Sequence, residues 1–148
     1  MKIGDCFPEF DLPDKDGVGQ TLGKYLGQKK LVIFFYPKDF TAICTLEAKA
    51  FRDRYDEFQS LGAEIIGISS DDAESHKKFC DALKLPFPLL TDSSNSLRNS
   101  LVKTNLLTRA LTRVTFVIGL NGEVLGSLSS ALQADAHVKF ALKTLADR

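Results

Sequence analysis

Two short apolar runs constrain this chain more than anything else in it. "KLVIFFYP" (Lys30 to Pro37) and "AEIIGIS" (Ala63 to Ser69) lack the polar-apolar alternation of a half-buried strand. Continuous runs of this length mark strands covered on both faces, as in parallel sheets. Between them the period changes. From about Thr41 to Leu61, Leu46, Ala50, Tyr55, Phe58 and Leu61 recur every three to five positions. Arg52, Asp53, Asp56 and Glu57 fall mostly between them, which predicts one amphipathic helix, ended by Gly62.

The same alternation continues. Asp71 to Leu85 predicts a second helix, with acids in its first turn and Phe79, Cys80 and Leu83 on an apolar face. "FPLLTD" suggests a short strand and "NSLRNSLV" a short helix. Arg113 to Leu128 predicts two strands around a hairpin at Asn121–Gly122. A last helix runs from about Gln133 to Leu145, with Ala134, Val138, Ala141, Leu142 and Leu145 on one face. Leu12 to Gln20 is a turn-rich connection. The pattern is an α/β layered domain with one central sheet. Residues 1–148 are expected to form one domain, long enough to bury a core unaided.

Charge excludes some partners. Nineteen basic and nineteen acidic side chains cancel, so no overall field draws in nucleic acid or an anionic membrane. The start lacks the apolar stretch of a signal peptide, and no window approaches a membrane-spanning length. A soluble protein of the cytoplasm is the default expectation. Three scattered cysteines, Cys6, Cys44 and Cys80, make no disulfide framework and no CxxC pair. With only His76 and His137 to join them, no metal site is expected, and both histidines read as structural or surface residues.

Cys44 stands where the first strand gives way to the helix. An ordinary cysteine, with a pKa of about 8.5, is only about 3% thiolate at pH 7. The first turn of a helix offers unpaired N–H groups and a partial positive charge, which favour an anion. Thr41, three residues earlier, shares that face, and its hydroxyl can donate and accept. Pro37 has no N–H and can shield a thiol without competing for it. Glu47, three residues on, can orient an arginine. Each feature also has a plainer explanation: a helix cap for Thr41, a solvated acid for Glu47.

The combination Pro37-x-x-x-Thr41-x-x-Cys44 resembles the active-site motif of peroxiredoxins, the thiol-dependent peroxidases. "FDLPDKDG", "FFYPKDFTAICTLEAKAFRD", "IIGISSDDAESHKKF", "LPFPLLTD" and "RVTFVIGLNGEV" are similar, in order, to segments of the Q subfamily, also called bacterioferritin comigratory proteins. The resemblance implies a thioredoxin-like fold, a central mixed sheet flanked by helices. It implies Cys44 as the peroxidatic cysteine, Pro37 and Thr41 shaping its pocket, and Arg113 pairing with thiolate and peroxide. Glu47 would hold the arginine in place. Arg109 and Arg52 compete for the arginine role, but Arg113 opens "RVTFVI", where the family has its arginine. Peroxide would be the substrate and a thioredoxin-like protein the reductant. The resemblance also implies a monomer without a metal or organic cofactor.

Many members of the subfamily carry a resolving cysteine five residues after the peroxidatic one; here that position is Lys49. Cys80 lies 36 residues after Cys44 and resembles the alternative arrangement, with the resolver on the second helix. A buried core residue is its plainer explanation. Cys6 lies where no chemistry is expected. A Cys44–Cys80 disulfide is expected to require local unravelling around both cysteines. The other readings are a one-cysteine peroxidase, a relay passing oxidation from Cys44 to a partner, and a thiol–disulfide oxidoreductase, which the missing CxxC disfavours.

Overall fold

The computed structural model describes residues 1–101, 113–130 and 134–147. Its centre is a five-stranded sheet of β3 (Lys30–Phe35), β4 (Ala63–Ser69), β5 (Leu89–Thr91), β6 (Val114–Ile118) and β7 (Val124–Ser129). The strands run in the order β5-β4-β3-β6-β7. β3 lies parallel to β4, and β4 to β5; β3 lies antiparallel to β6, and β6 to β7. A small hairpin of β1 (Asp11–Pro13) and β2 (Gly19–Thr21) precedes the sheet. The sequence had predicted only a turn-rich connection there, because three-residue strands are too short to show a period.

The continuous apolar runs resolve into two faces. Along β3, Val32, Phe34 and Tyr36 enter one core cluster, while Leu31, Ile33 and Phe35 enter the other. The first cluster is covered by α1 (Ala42–Asp53), α2 (Tyr55–Ser60), α3 (Ala73–Leu83) and α5 (Ala134–Ala146). The second is covered by the N-terminal segment, through Phe7 and Phe10, and by α4 (Ser96–Leu101) through Leu101. A mixed sheet with helices on both faces is the thioredoxin-like fold.

The single helix predicted over 41–61 is two helices, broken at Arg54. Its inner face also differs from the predicted one. Cys44, Glu47, Ala48 and Phe51 are buried, whereas Leu46 is 58% exposed. The spacing 44-47-48-51 is a regular helical stripe, but one charged member hid it from a hydrophobicity count. Gly62, at φ +73°, ends α2, and Gly122, at φ +84°, sits in the β6–β7 turn beside Asn121.

Phe34 is the hinge of the first core. Its ring stacks on Phe51 at 4.6 Å and on Tyr36 at 5.5 Å and meets Phe87 edge-on at 5.8 Å. Gly67, opposite Phe34 in the sheet, makes room for it. A Cβ there would stand 2.6 Å from Leu89 Cδ2 and 2.8 Å from Phe34 Cζ. Gly67→Ala is therefore expected to destabilise the fold by about 1–3 kcal/mol through overpacking. Urea midpoints of the two proteins check it; an unchanged midpoint would show that the aromatic stack yields freely.

Candidate active site

The sheet register assembles the site. Phe35 pairs with Val114, so Tyr36 and Arg113 lie level just beyond the strands. Side chains alternate along β6, which puts Arg113 and Thr115 on the same face as Val117, under α1 and α5. Pro37 to Phe40 form the loop out of β3; Thr41 precedes α1, and Cys44 lies in its first turn.

Cys44 is 1% exposed and Arg113 5%. Arg113 Nη1 donates to Cys44 Sγ at 2.9 Å, across 69 residues of sequence. The structure thus joins the cysteine and the arginine that the sequence singled out. Arg113 precedes an interior strand of the sheet, not an edge strand. Arg52 is engaged elsewhere: its Nη1 donates to Leu83 O at 2.8 Å and its Nη2 pairs with Asp53. Arg109 lies outside the described residues.

Glu47 is 0% exposed, one turn beyond Cys44 on the same inner stripe. Its Oε1 lies 3.5 Å from Arg113 Nη1 and its Oε2 3.8 Å from His137 Nδ1. Among the described residues neither oxygen has a partner at hydrogen-bonding geometry. Burial pushes the Glu47 carboxyl up to about 8, and the Arg113 charge only partly opposes it.

His137 belongs to this neighbourhood; of the two readings the sequence offered, structural or surface, the buried, structural one holds. Its Nε2 donates to Ser130 O at 3.0 Å, which leaves Nδ1 to accept from the Thr115 hydroxyl at 2.8 Å. Burial first, and then the Arg113 charge, hold the ring below the usual histidine range, so it is neutral at physiological pH. His76 is likewise buried, against Asp39, beneath the loop. Both histidines sit on apolar helical stripes, at His76-Phe79-Cys80 and His137-Val138-Ala141. That placement was the available signal, because a core histidine must find polar partners.

Thr41 is exposed at the N-terminus of α1, yet its side chain does not cap the helix. Its hydroxyl donates to Lys38 O at 2.9 Å and so closes the loop. Pro37 is half-buried at the start of that loop. All three cysteines are free thiols. Cys80 is buried on α3, where burial first, and then Asp39, Asp81 and Asp16, raise its thiol to about 11. Cys6 is exposed and bridges to Glu123, at the far end of the sheet from Cys44.

The raised Glu47 makes stability depend on pH. Its folded-state pKa exceeds the unfolded value of 4.5, so between about 4.5 and 8 the native state binds the extra proton. Stability therefore falls as pH rises through that window. In Glu47→Gln that contribution is absent. Urea midpoints from pH 5 to 8 are expected to decline in the wild type relative to the variant; parallel curves would show that Arg113 satisfies the carboxylate after all.

The family model described as the AhpC/TSA family matches residues 3–126. A rice (Oryza sativa subsp. japonica) protein named peroxiredoxin Q, chloroplastic, is 43% identical over 143 residues, covering 96% of this chain and 65% of its own length. A putative peroxiredoxin of Mycobacterium tuberculosis is 38% identical over 148 residues, covering 98% of this chain and 96% of that protein. The crystal structure of the peroxidoxin BcpB from M. tuberculosis superposes with a TM-score of 0.91 at 38% identity, covering 99% of this chain and 97% of that one. Xanthomonas campestris peroxiredoxin Q gives 0.83 at 31%, covering 94% and 90%. The chain spans 65% of the rice relative and nearly all of the mycobacterial ones. On these matches the chain belongs to the AhpC/TSA family, in the peroxiredoxin Q or bacterioferritin comigratory protein branch.

Proposed function

We propose that this chain is a thiol peroxidase in which Cys44 reduces hydrogen peroxide and organic hydroperoxides. The observation that carries this is the buried Arg113 guanidinium 2.9 Å from the Cys44 sulfur. A fixed positive donor there stabilises the thiolate and, later, the negative charge that develops on the departing oxygen. The thiolate's electron pair forms an S–O bond and the O–O bond breaks. The leaving oxygen takes a proton, and Cys44, oxidised by two electrons, becomes a sulfenic acid. In this reading Pro37 and Thr41 shape the peroxide pocket and Glu47 supports Arg113. Sulfur supplies both electrons, so no metal or organic cofactor takes part.

Cys80 is proposed as the resolving thiol. Its thiolate attacks the Cys44 sulfenic sulfur, forming the disulfide and releasing water. A dithiol protein of the thioredoxin type then reduces that disulfide. Burial argues that α3 must open first. At about 11 the Cys80 thiol is almost wholly protonated at neutral pH. An ordinary exposed cysteine, near 8.5, would hold about a few hundredfold more thiolate. The same burial supports a second reading, in which Cys44 works alone or passes its oxidation to a partner. The proposed working unit is one domain, 1–148, monomeric and cytoplasmic. No helix among the described residues is long and apolar enough to cross a membrane.

Peroxide consumption with thioredoxin, its reductase and NADPH tests this. Cys44→Ser is expected to be inactive and Arg113→Ala slower by about 10²–10³. Cys80→Ser should react once and then stall, and a non-reducing digest of the oxidised wild type should yield a Cys44–Cys80 peptide. Normal turnover by Cys80→Ser would favour the one-cysteine reading. Wild-type rates in Cys44→Ser would overturn the function.

A further inference from the structure

A buried polar cluster lies beneath the Pro37–Thr41 loop, and the chemistry above does not use it. Asp39 and His76 are both buried. Asp39 Oδ1 accepts from the Tyr36 phenol at 2.6 Å. Asp39 Oδ2 accepts from the Ser75 hydroxyl at 2.9 Å and stands 2.8 Å from His76 Nδ1. The other ring nitrogen, Nε2, lies 3.1 Å from Leu90 O. The Asp39 N–H donates to Asp71 Oδ2 at 2.8 Å, an oxygen that also accepts from the Ser69 hydroxyl at 2.7 Å.

Counting protons fixes a hydrogen bond. A carbonyl only accepts, so His76 Nε2 carries hydrogen. Tyr36 stays a phenol, because burial and the Asp39 charge both disfavour its phenolate. Asp39 accepts from both Tyr36 and Ser75. The Nδ1–Oδ2 contact therefore holds one further proton between ring and carboxyl. Buried polar groups are kept when they are bonded in this way. The charged and titratable groups facing the ring are Asp39 from the loop, Tyr36 from β3 and Asp71 from the turn before α3.

The pair spans the two parts that the thiol chemistry must bring together. Asp39 lies in the loop five residues before Cys44; His76 lies on α3, one turn before Cys80. Phe40, in the same loop, is held at φ +66°, a region that non-glycine residues avoid. Its ring packs edge-on against Phe79, next to Cys80, at 5.1 Å.

We propose that Asp39 and His76 are positioning residues: their buried hydrogen bond straps the Cys44 loop to the Cys80 helix, and its release sets how fast the Cys44 sulfenic acid meets Cys80. The proposal rests on Cys80 being the resolving thiol. No redox step is added. While the strap holds, Cys44 stays with Arg113 and Cys80 stays buried.

The test combines a spectroscopic signature with rates. In the reduced full-length protein, ¹H NMR is expected to show a slowly exchanging downfield proton held between His76 Nδ1 and Asp39, absent from His76→Gln. Rapid-mixing with one equivalent of hydrogen peroxide separates sulfenic acid formation from disulfide formation. Asp39→Asn and His76→Gln should leave the first step within about threefold. They should speed the second roughly tenfold, the loss of one buried hydrogen bond. His76→Asn, which can offer Asp39 an N–H from the Nδ1 position, should fall between. Absence of that downfield proton from the wild type, or unchanged disulfide rates in folded variants, overturns the strap alone. Failure of the wild type to form any Cys44–Cys80 disulfide overturns the Cys80 reading, and the strap with it; the digest tells the two failures apart.

Discussion

The pairing of β3 with β6 is the constraint on which everything else hangs. Its register sets Phe35 against Val114 and so carries Arg113 to the end of β3, where the chain turns into the Cys44 helix. Strand side chains alternate, so a slip of one residue would swing Arg113 and Thr115 to the opposite face and leave α1 over apolar side chains. Both strands are buried apart from Lys30 at the start of β3, and each face has its own core cluster to satisfy. Hydrophobic packing on both faces thus fixes the place of a single guanidinium. The precision of the site is inherited from the sheet.

Around that guanidinium the protein tolerates what folding normally avoids. Glu47 is sealed between Arg113 and a neutral His137, with neither oxygen at hydrogen-bonding geometry among the described residues. Burial pushes its carboxyl up to about 8, against the pull of the Arg113 charge. His137 can stay neutral because Ser130 O fixes its tautomer and Thr115 occupies its lone pair. A Glu47 that loses its proton there becomes a buried charge short of hydrogen bonds.

Much of this was legible in the sequence. The continuous apolar runs read as doubly covered strands, and Asn121–Gly122 marked its turn. The fixed spacing from Pro37 to Cys44, with Arg113 opening a later strand, picked out the residues that carry the proposed chemistry. Failures came where a residue's type concealed its setting. Glu47 belongs to the buried stripe of α1, so a count of apolar residues favoured the exposed Leu46 in its place. His76 and His137 read only as structural or surface residues, because a histidine's partners come from elsewhere in the chain: Asp39 37 residues away, Thr115 22. Asp39 stood inside the motif but is not one of its fixed letters. Local periodicity carries a fold; buried polar contacts between distant segments need the fold first.

The 69 residues between Cys44 and Arg113 have a consequence for the chain as it is made. At roughly 5–20 residues per second, a ribosome needs on the order of several seconds to pass from one to the other. Throughout that interval the cysteine has been synthesised while its guanidinium has not. The nascent chain meets peroxide as any cysteine-bearing peptide does, and the proposed reactivity arises only when β6 docks beside β3. On the proposed chemistry, synthesis order leaves the thiol unprimed until the sheet around it is complete.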